Sequence, residues 1–245
     1  MVSLTRVTYV PTMKKLLHAI LPVMLLAAPP AGAGDNVVLV ELFTSQGCSS
    51  CPPADANLGA LAQRDDVLPL SLHVDYWDYL GWRDTFGKTE HTERQHAYRI
   101  TMGARVVYTP QMIVHGTHDV PGYHSELIHN AIAEAAATTA PASIQILANE
   151  GMLGANVTTD RSQAKRTIWV ATYDQEATVR IERGENAGET ITYSNIVEKL
   201  MRVGPWPGGT SQTIDLPQPG AGEGVAIWLQ DDRTGRVLAA SFVEG

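Results

Sequence analysis

The chain's two cysteines, Cys48 and Cys51, stand three residues apart in "ELFTSQGCSSCPPAD", residues 41–55. Thiols at that spacing can exchange with another disulfide, supply half of a metal site, or close a local staple. Composition removes some of these chemistries. Covalent c-type haem attachment needs His directly after the second cysteine, and position 52 is Pro. Zinc sites of three or four cysteines need more thiols than two. A Cys2His2 site would have to recruit from His115, His118, His124 and His129, which lack finger spacing. That Cys2His2 site, copper capture by the thiolate pair with a Met or His, and a stable disulfide without turnover stay open. Thiol–disulfide chemistry leads because of the motif's surroundings: an apolar run precedes it and a helical pattern follows. A helix N-terminus favours a thiolate, and open α/β sheets take ligands at the carboxyl ends of their strands.

The elements that must hold the pair come next. "VVLVELF" (37–43) is a continuous apolar and β-branched run, as expected of a strand covered on both faces. Ala54, Leu58, Leu61 and Ala62 fall at helical spacing, with Asp55 in the first turn complementing the helix dipole. "VLPLSLHVD" (67–75) predicts a second strand, "KTEHTERQHAYRITMG" (88–103) a polar helix, and "QMIVHG" (111–116) a third strand. "HDVPGY" reads as a turn segment, and "SELIHNAIAEAAA" (125–137) as a helix capped by Ser125. Alternating strand and helix predict an α/β domain over 35–141. After "TTAPAS" the texture changes to strand-like segments separated by Gly, Asn, Pro or Asp turns, with no convincing helix. The expectation for 142–245 is a separate all-β, sandwich-like domain.

With 245 residues and 44% hydrophobic content the chain can build ordinary packed cores, and two cysteines are too few for a disulfide scaffold. Residues 1–33 read differently: Arg6, Lys14 and Lys15 precede "LLHAILPVMLLAA", and "AGA" at 31–33 has the form of a signal-peptidase site. Their removal would take away three positive charges and no acidic ones, making the formal charge more negative than the −8 of the whole chain. Such an acidic protein is expected to bind no nucleic acid non-specifically, and no stable membrane insertion is expected after cleavage. A periplasmic or secreted location follows, with oxidising surroundings for the cysteine pair.

"VVLVELFTSQGCSSCPPADANL", "LHVDYWDYLGW" and "VYTPQMIVHG" together resemble the exported thioredoxin-like family known as domain of unknown function 1223, from about residue 35 to the end. That resemblance implies an α/β thioredoxin-like domain followed by a β-rich one, and brings no established reaction. The wider resemblance to thioredoxins implies roles for single residues. Cys48, as the more exposed thiol, would attack a substrate disulfide, and Cys51 would resolve the mixed disulfide. Thr109-Pro110 matches the cis-proline that opens the strand facing the cysteines, with Thr109 offering backbone hydrogen bonds to an extended peptide. Glu41 matches the buried acid that moves the resolving thiol's proton, one residue further from the first cysteine than usual. Two departures stand out: Gly47 precedes Cys48 where thioredoxins carry Trp, and Pro52-Pro53 follow Cys51. Proline suits a first helical turn, so the helix should start at Ser50 or Cys51.

"HVDYWDYLGW" starts at the carboxyl end of the second strand, so Asp75, Tyr76 and Trp77 are candidates to line a substrate pocket, with Trp82 as its closure. The alternative is a packed aromatic loop in which Asp75 caps the following turn. His73 alternates with Leu72 and Val74 and reads as a sheet-face histidine. No G-x-S-x-G, H-E-x-x-H, P-loop or G-x-G-x-x-G is present. "RGENAG" (183–188) reads as a hairpin loop, and the β-rich half is assigned binding, docking or stabilisation. The sequence thus points to thiol–disulfide exchange on an unknown protein or small-thiol substrate, requiring no cofactor and no metal. The alternative is a non-enzymatic binding module, with copper handling as one form of it, whose disulfide is structural.

Overall fold

A computed structural model describes residues 37–138, 141–149, 151–160, 164–206 and 211–245. The segment read as a signal peptide lies outside the described residues. In chain order the elements are β1 (Val38–Thr44), α1 (Pro52–Leu61), β2 (Val67–His73), a short 3-10 turn (Asp78–Leu80), α2 (Thr89–Thr101), β3 (Gln111–Val114), β4 (His118–Pro121) and α3 (Ser125–Ala136). They continue with β5 (Ala142–Asn149), β6 (Met152–Thr159), β7 (Arg166–Arg180), β8 (Thr190–Pro205), β9 (Ser211–Leu216), β10 (Glu223–Asp231) and β11 (Val237–Glu244).

β1 and β2 pair in parallel along their whole lengths, Val38 beside Val67 and Thr44 beside His73. All seven residues of each strand are buried, as their near-continuous apolar runs demand. Side chains alternate across the sheet, and this parity decides what each strand residue meets. Val38, Val40 and Leu42 pack with Ala54, Leu58 and Leu61 of α1 and with Ile128 and Ile132 of α3. Leu39 and Phe43 point to the opposite face, among Tyr98 of α2, Tyr173 and Trp228.

The expectation of a thioredoxin-like α/β domain followed by a separate β sandwich is overturned. The structure is mostly β, with one mixed eight-stranded sheet in the order β11-β10-β7-β8-β2-β1-β3-β4. The chain after residue 142 therefore does not close on itself: β8 joins β2 in parallel at Ser71 and Ile196. A three-stranded sheet, β5-β6-β9, covers part of this surface through Ile144, Leu153, Val157 and Ile214 packed against Ile168, Val170, Ile227 and Leu229. The physical reason is edge satisfaction. An unpaired edge of β2 would leave a row of backbone groups open, and β8 covers it. The seam is irregular because Pro69 in β2 lacks an N–H, and Asn195, held at a φ of 48°, donates its side-chain amide to the Pro69 carbonyl at 2.9 Å. A second difference is local. The expected turn "HDVPGY" contains strand β4, because His115 and Gly116 both take positive φ and reverse the chain directly after β3. Among the described residues no helix is long and apolar enough to cross a membrane.

Candidate functional site

The chain leaves β1 at Thr44 and folds the cysteines into a tight loop. Cys48 donates its N–H to the Ser45 carbonyl and Cys51 donates to the Cys48 carbonyl, both at 3.1 Å. Helix α1 begins at Pro52 with Cys51 as its N-cap residue; the two prolines lack only N–H groups that a first turn leaves unpaired. Cys48 and Cys51 form a disulfide, with their α-carbons 5.4 Å apart. Expectation and structure part over access: Cys48, read as the exposed thiol, is 1% exposed and Cys51 0%.

The other half of the chain contacts this loop. The β7–β8 hairpin tip, residues 181–189, reaches the cysteine loop. Asn186 donates its side-chain amide to the carbonyls of Gln46 and Cys48, each at 2.9 Å. Glu185 accepts from the Ser49 hydroxyl at 2.8 Å and from its N–H at 3.3 Å. Gln46 fastens the loop from below: its N–H donates to Asp84 at 2.7 Å and its side-chain oxygen accepts from the Trp82 indole at 2.8 Å.

Around this loop the structure gathers several residues singled out in the sequence. The Thr109-Pro110 peptide is cis. Gly122 packs against both Pro110 and Ala54, so the proline lies beside the first turn of α1. Trp77 donates its indole N–H to the Thr109 hydroxyl at 2.7 Å while its backbone packs on Gly47, linking the proline loop to the cysteine loop. Tyr76 lies one step back, donating to Gln95, which in turn binds the Tyr108 carbonyl.

Two candidates fall elsewhere. Asp75 accepts from the hydroxyls of Thr89 at 2.6 Å and Thr92 at 2.7 Å, and these bonds, the Thr89 one foremost, hold its carboxyl below the usual range against the opposing effect of burial. It stays ionised and pins the start of α2. Glu41 has the parity of Leu39 and Phe43, which turns it away from α1 and the disulfide. It is fully buried on the far face, gripped by the Arg94 guanidinium and the Tyr98 hydroxyl, with Gln230 bonded to the same hydroxyl. Cation–π contacts of Arg94 with Trp169 and Trp228 complete that cluster.

The acid on the cysteine side is Asp55, which the sequence presented only as a helix-dipole residue. It stands four residues after Cys51, so both face the same side of α1, one turn apart. It is buried and accepts a 2.8 Å hydrogen bond from Thr44, whose parity is that of Val40 and Leu42. Burial pushes the Asp55 carboxyl up to about 7, against the opposing effects of His73 and of Thr44, while nearby Asp84 adds to the rise. His73 lies on the same face with its Nδ1 2.8 Å from Asp84. Burial opposes ionisation of Asp84, but His73 and the N–H groups of Gln46 and Phe86 outweigh it and hold that carboxyl low. Tyr193 packs edge-on against His73 at 4.8 Å and closes the cluster. The signal available in the sequence was the four-residue spacing of Cys51 and Asp55. Nothing local to "RGENAG" announced Glu185 and Asn186, because their partners lie more than 130 residues earlier. Among the described residues no three His, Cys, Asp or Glu side chains are grouped to hold a metal ion.

These features define a mixed-sheet protein whose first strand delivers a CxxC disulfide to a helix start. The chain belongs to the family described as protein of unknown function DUF1223, whose model matches residues 39–230. It is similar to a protein of Agrobacterium tumefaciens solved by X-ray crystallography, at 32% identity and a TM-score of 0.72, over 87% of this chain and 96% of that one. HBP35 of Porphyromonas gingivalis shares the fold at a TM-score of 0.58 and 12% identity, over 87% of this chain and 76% of that one. No curated protein matches the chain.

Proposed function

We propose that this chain is an exported thiol–disulfide exchange protein acting on a protein or small-thiol substrate through Cys48 and Cys51. The observation that carries the reading is the seating of the disulfide at the start of α1 with the buried Asp55 carboxyl one turn behind Cys51. In the dithiol form, the Cys48 thiolate attacks a substrate disulfide R–S–S–R′, forms Cys48–S–S–R and expels R′S⁻, which takes a proton from solvent. Cys51 then yields its proton to Asp55 and attacks the Cys48 sulfur, forming the Cys48–Cys51 bond and releasing RS⁻. Two electrons pass from the dithiol to the substrate, and the reverse sequence oxidises substrate thiols. A carboxyl titrating near 7 is a far better proton acceptor for a thiol than one near 4. Thr109, Pro110 and Trp77 border the cysteine loop and are assigned to substrate contact, with Tyr76 supporting them. Export rests on the composition of residues 1–33 and on a disulfide, which persists in oxidising compartments.

The burial of both sulfurs favours a second reading, a binding module whose disulfide is a staple; a copper-handling form of it would draw on the same two sulfurs. Equilibration of the wild-type protein in glutathione buffers separates the two. A potential above about −300 mV, with a glutathione adduct at Cys48 in Cys51→Ser, supports exchange. A potential below that value and an unmodified Cys48 in the variant would favour the staple.

A further inference from the structure

We propose that the β7–β8 hairpin tip, residues 181–189, is a gate that occupies the substrate-binding groups around Cys48 and must lift before the disulfide can react. The proposal rests on the exchange reading for its purpose, while its physical content stands on the geometry alone. Four groups flanking the nucleophilic sulfur are already engaged. The carbonyls of Gln46 and Cys48 both accept from the Asn186 amide, and the Ser49 N–H and hydroxyl both donate to Glu185. An extended peptide docked between Cys48 and Thr109-Pro110 would meet those same donors and acceptors, so the hairpin holds part of the place of a substrate.

The tip is built to sit there. It is closed on itself by the Gly188 N–H to the Ile181 carbonyl at 2.8 Å and the Ile181 N–H to the Glu189 carbonyl at 2.9 Å, so it can move as one piece. Gly184 takes a φ of +79° and lies against Trp82, where an added Cβ would come within 3.2 Å of the Trp82 Cβ. Trp82 in turn holds the Gln46 side chain, so the gate's seat and the cysteine loop share one anchor. Glu185 and Ala187 are solvent-exposed, whereas Ile181 at the base of the tip and Asn186 within it are buried. With Ile181 as the packed pivot, the grip on the cysteine loop is one buried amide plus an exposed carboxylate, few enough contacts for a local opening that leaves the sheet intact. When the tip lifts, the Gln46 and Cys48 carbonyls and the Ser49 donors become free together with the sulfur.

The test is the rate of disulfide reduction by dithiothreitol, which transfers two electrons and becomes a cyclic disulfide, followed by alkylation and mass measurement. The oxidised peptide of residues 41–55 serves as the ungated reference. The wild-type protein should react at least about 100-fold more slowly than the peptide. Asn186→Ala with Glu185→Ala should raise the protein's rate by about 5-fold or more, since each lost hydrogen bond shifts an opening equilibrium by a factor of this order. Glu185→Ala alone removes only exposed contacts, keeps the fold testable by circular dichroism, and should give a smaller gain of the same sign. A wild-type rate equal to the peptide's, or rates unchanged in the folded variants, would overturn the gate. Because no protein partner takes part, that outcome leaves mixed-disulfide formation by Cys51→Ser open. Conversely, a gate-sensitive rate with no adduct at Cys48 would count against exchange alone.

Discussion

Replacing Asp55 by Asn isolates the most unusual charge in the molecule. In the native state burial lifts this carboxyl from 3.8 to about 7. Between those values the folded protein binds a proton that the unfolded chain has already released, so native stability falls as pH rises through that window. The sign is opposite to that of a salt-bridged carboxylate. Below pH 3.8 both states are protonated and the group costs nothing; above pH 7 both are ionised and the folded state carries the full penalty. At 1.36 kcal/mol per pH unit the interval amounts to roughly 4 kcal/mol. Asparagine has nearly the same shape, can still accept the Thr44 hydrogen bond, and cannot ionise. Asp55→Asn should therefore be more stable than the wild type by up to about 4 kcal/mol at pH 8, and the difference should shrink to well under about 1 kcal/mol at pH 4. Urea titrations of both oxidised proteins at the two pH values measure this, and taking the difference between variants cancels carboxyls common to both. A stability difference that is the same at pH 4 and pH 8, or a variant less stable at pH 8, would refute the assignment of a desolvated Asp55 carboxyl that titrates near 7. The proposed proton transfer from Cys51 would fall with it.

Two further outcomes test the frame around the site. Arg94→Ala would leave Glu41 as a buried charge without its bidentate partner, and unfolding free energy measured in denaturant should drop by about 3–5 kcal/mol. Arg94→Lys should recover only part of that loss, since an ammonium cannot reproduce the forked grip. Asn195→Ala should cost about 1–3 kcal/mol by orphaning the Pro69 carbonyl, whereas Asn195→Gly, compatible with the 48° φ, separates the lost bond from backbone strain in the same denaturant assay.

Local pattern in the sequence identified β1, β2 and the three helices, because apolar period and end signals are properties of short windows. Helix α1 begins within a residue or two of the expected start because two prolines limit where it can start. Sheet partnership was not legible. The pairing of Ser71 with Ile196 joins segments 125 positions apart, and nothing in either strand names the other. The face on which the candidate acid Glu41 lies was hidden for a similar reason. Glu41 and Thr44 differ by three positions on a strand, which is odd, so they lie on opposite faces. Resemblance selected Glu41, and only the sheet's packing against α1 shows that Thr44 is the one facing the cysteines. Asp55 carried a usable signal, the helical spacing from Cys51, but an acid in a first turn has the simpler explanation of a favourable dipole. The contact between the cysteine loop and the β7–β8 hairpin had no local cue, since the hairpin is distant in the chain.

That long-range stitching bears on how the molecule could be divided. A fragment ending near residue 141 would keep both cysteines, Asp55 and the cis-proline, yet β2 would lose its neighbour and present a bare, apolar border. Such borders recruit other chains into intermolecular sheets, and the same cut would strip the cysteine loop of its Glu185 and Asn186 partners. Resistance to aggregation and the burial of the disulfide are therefore properties of this chain as a whole, and a minimal unit carrying the cysteine motif alone would be a different material, sticky and open to any thiol.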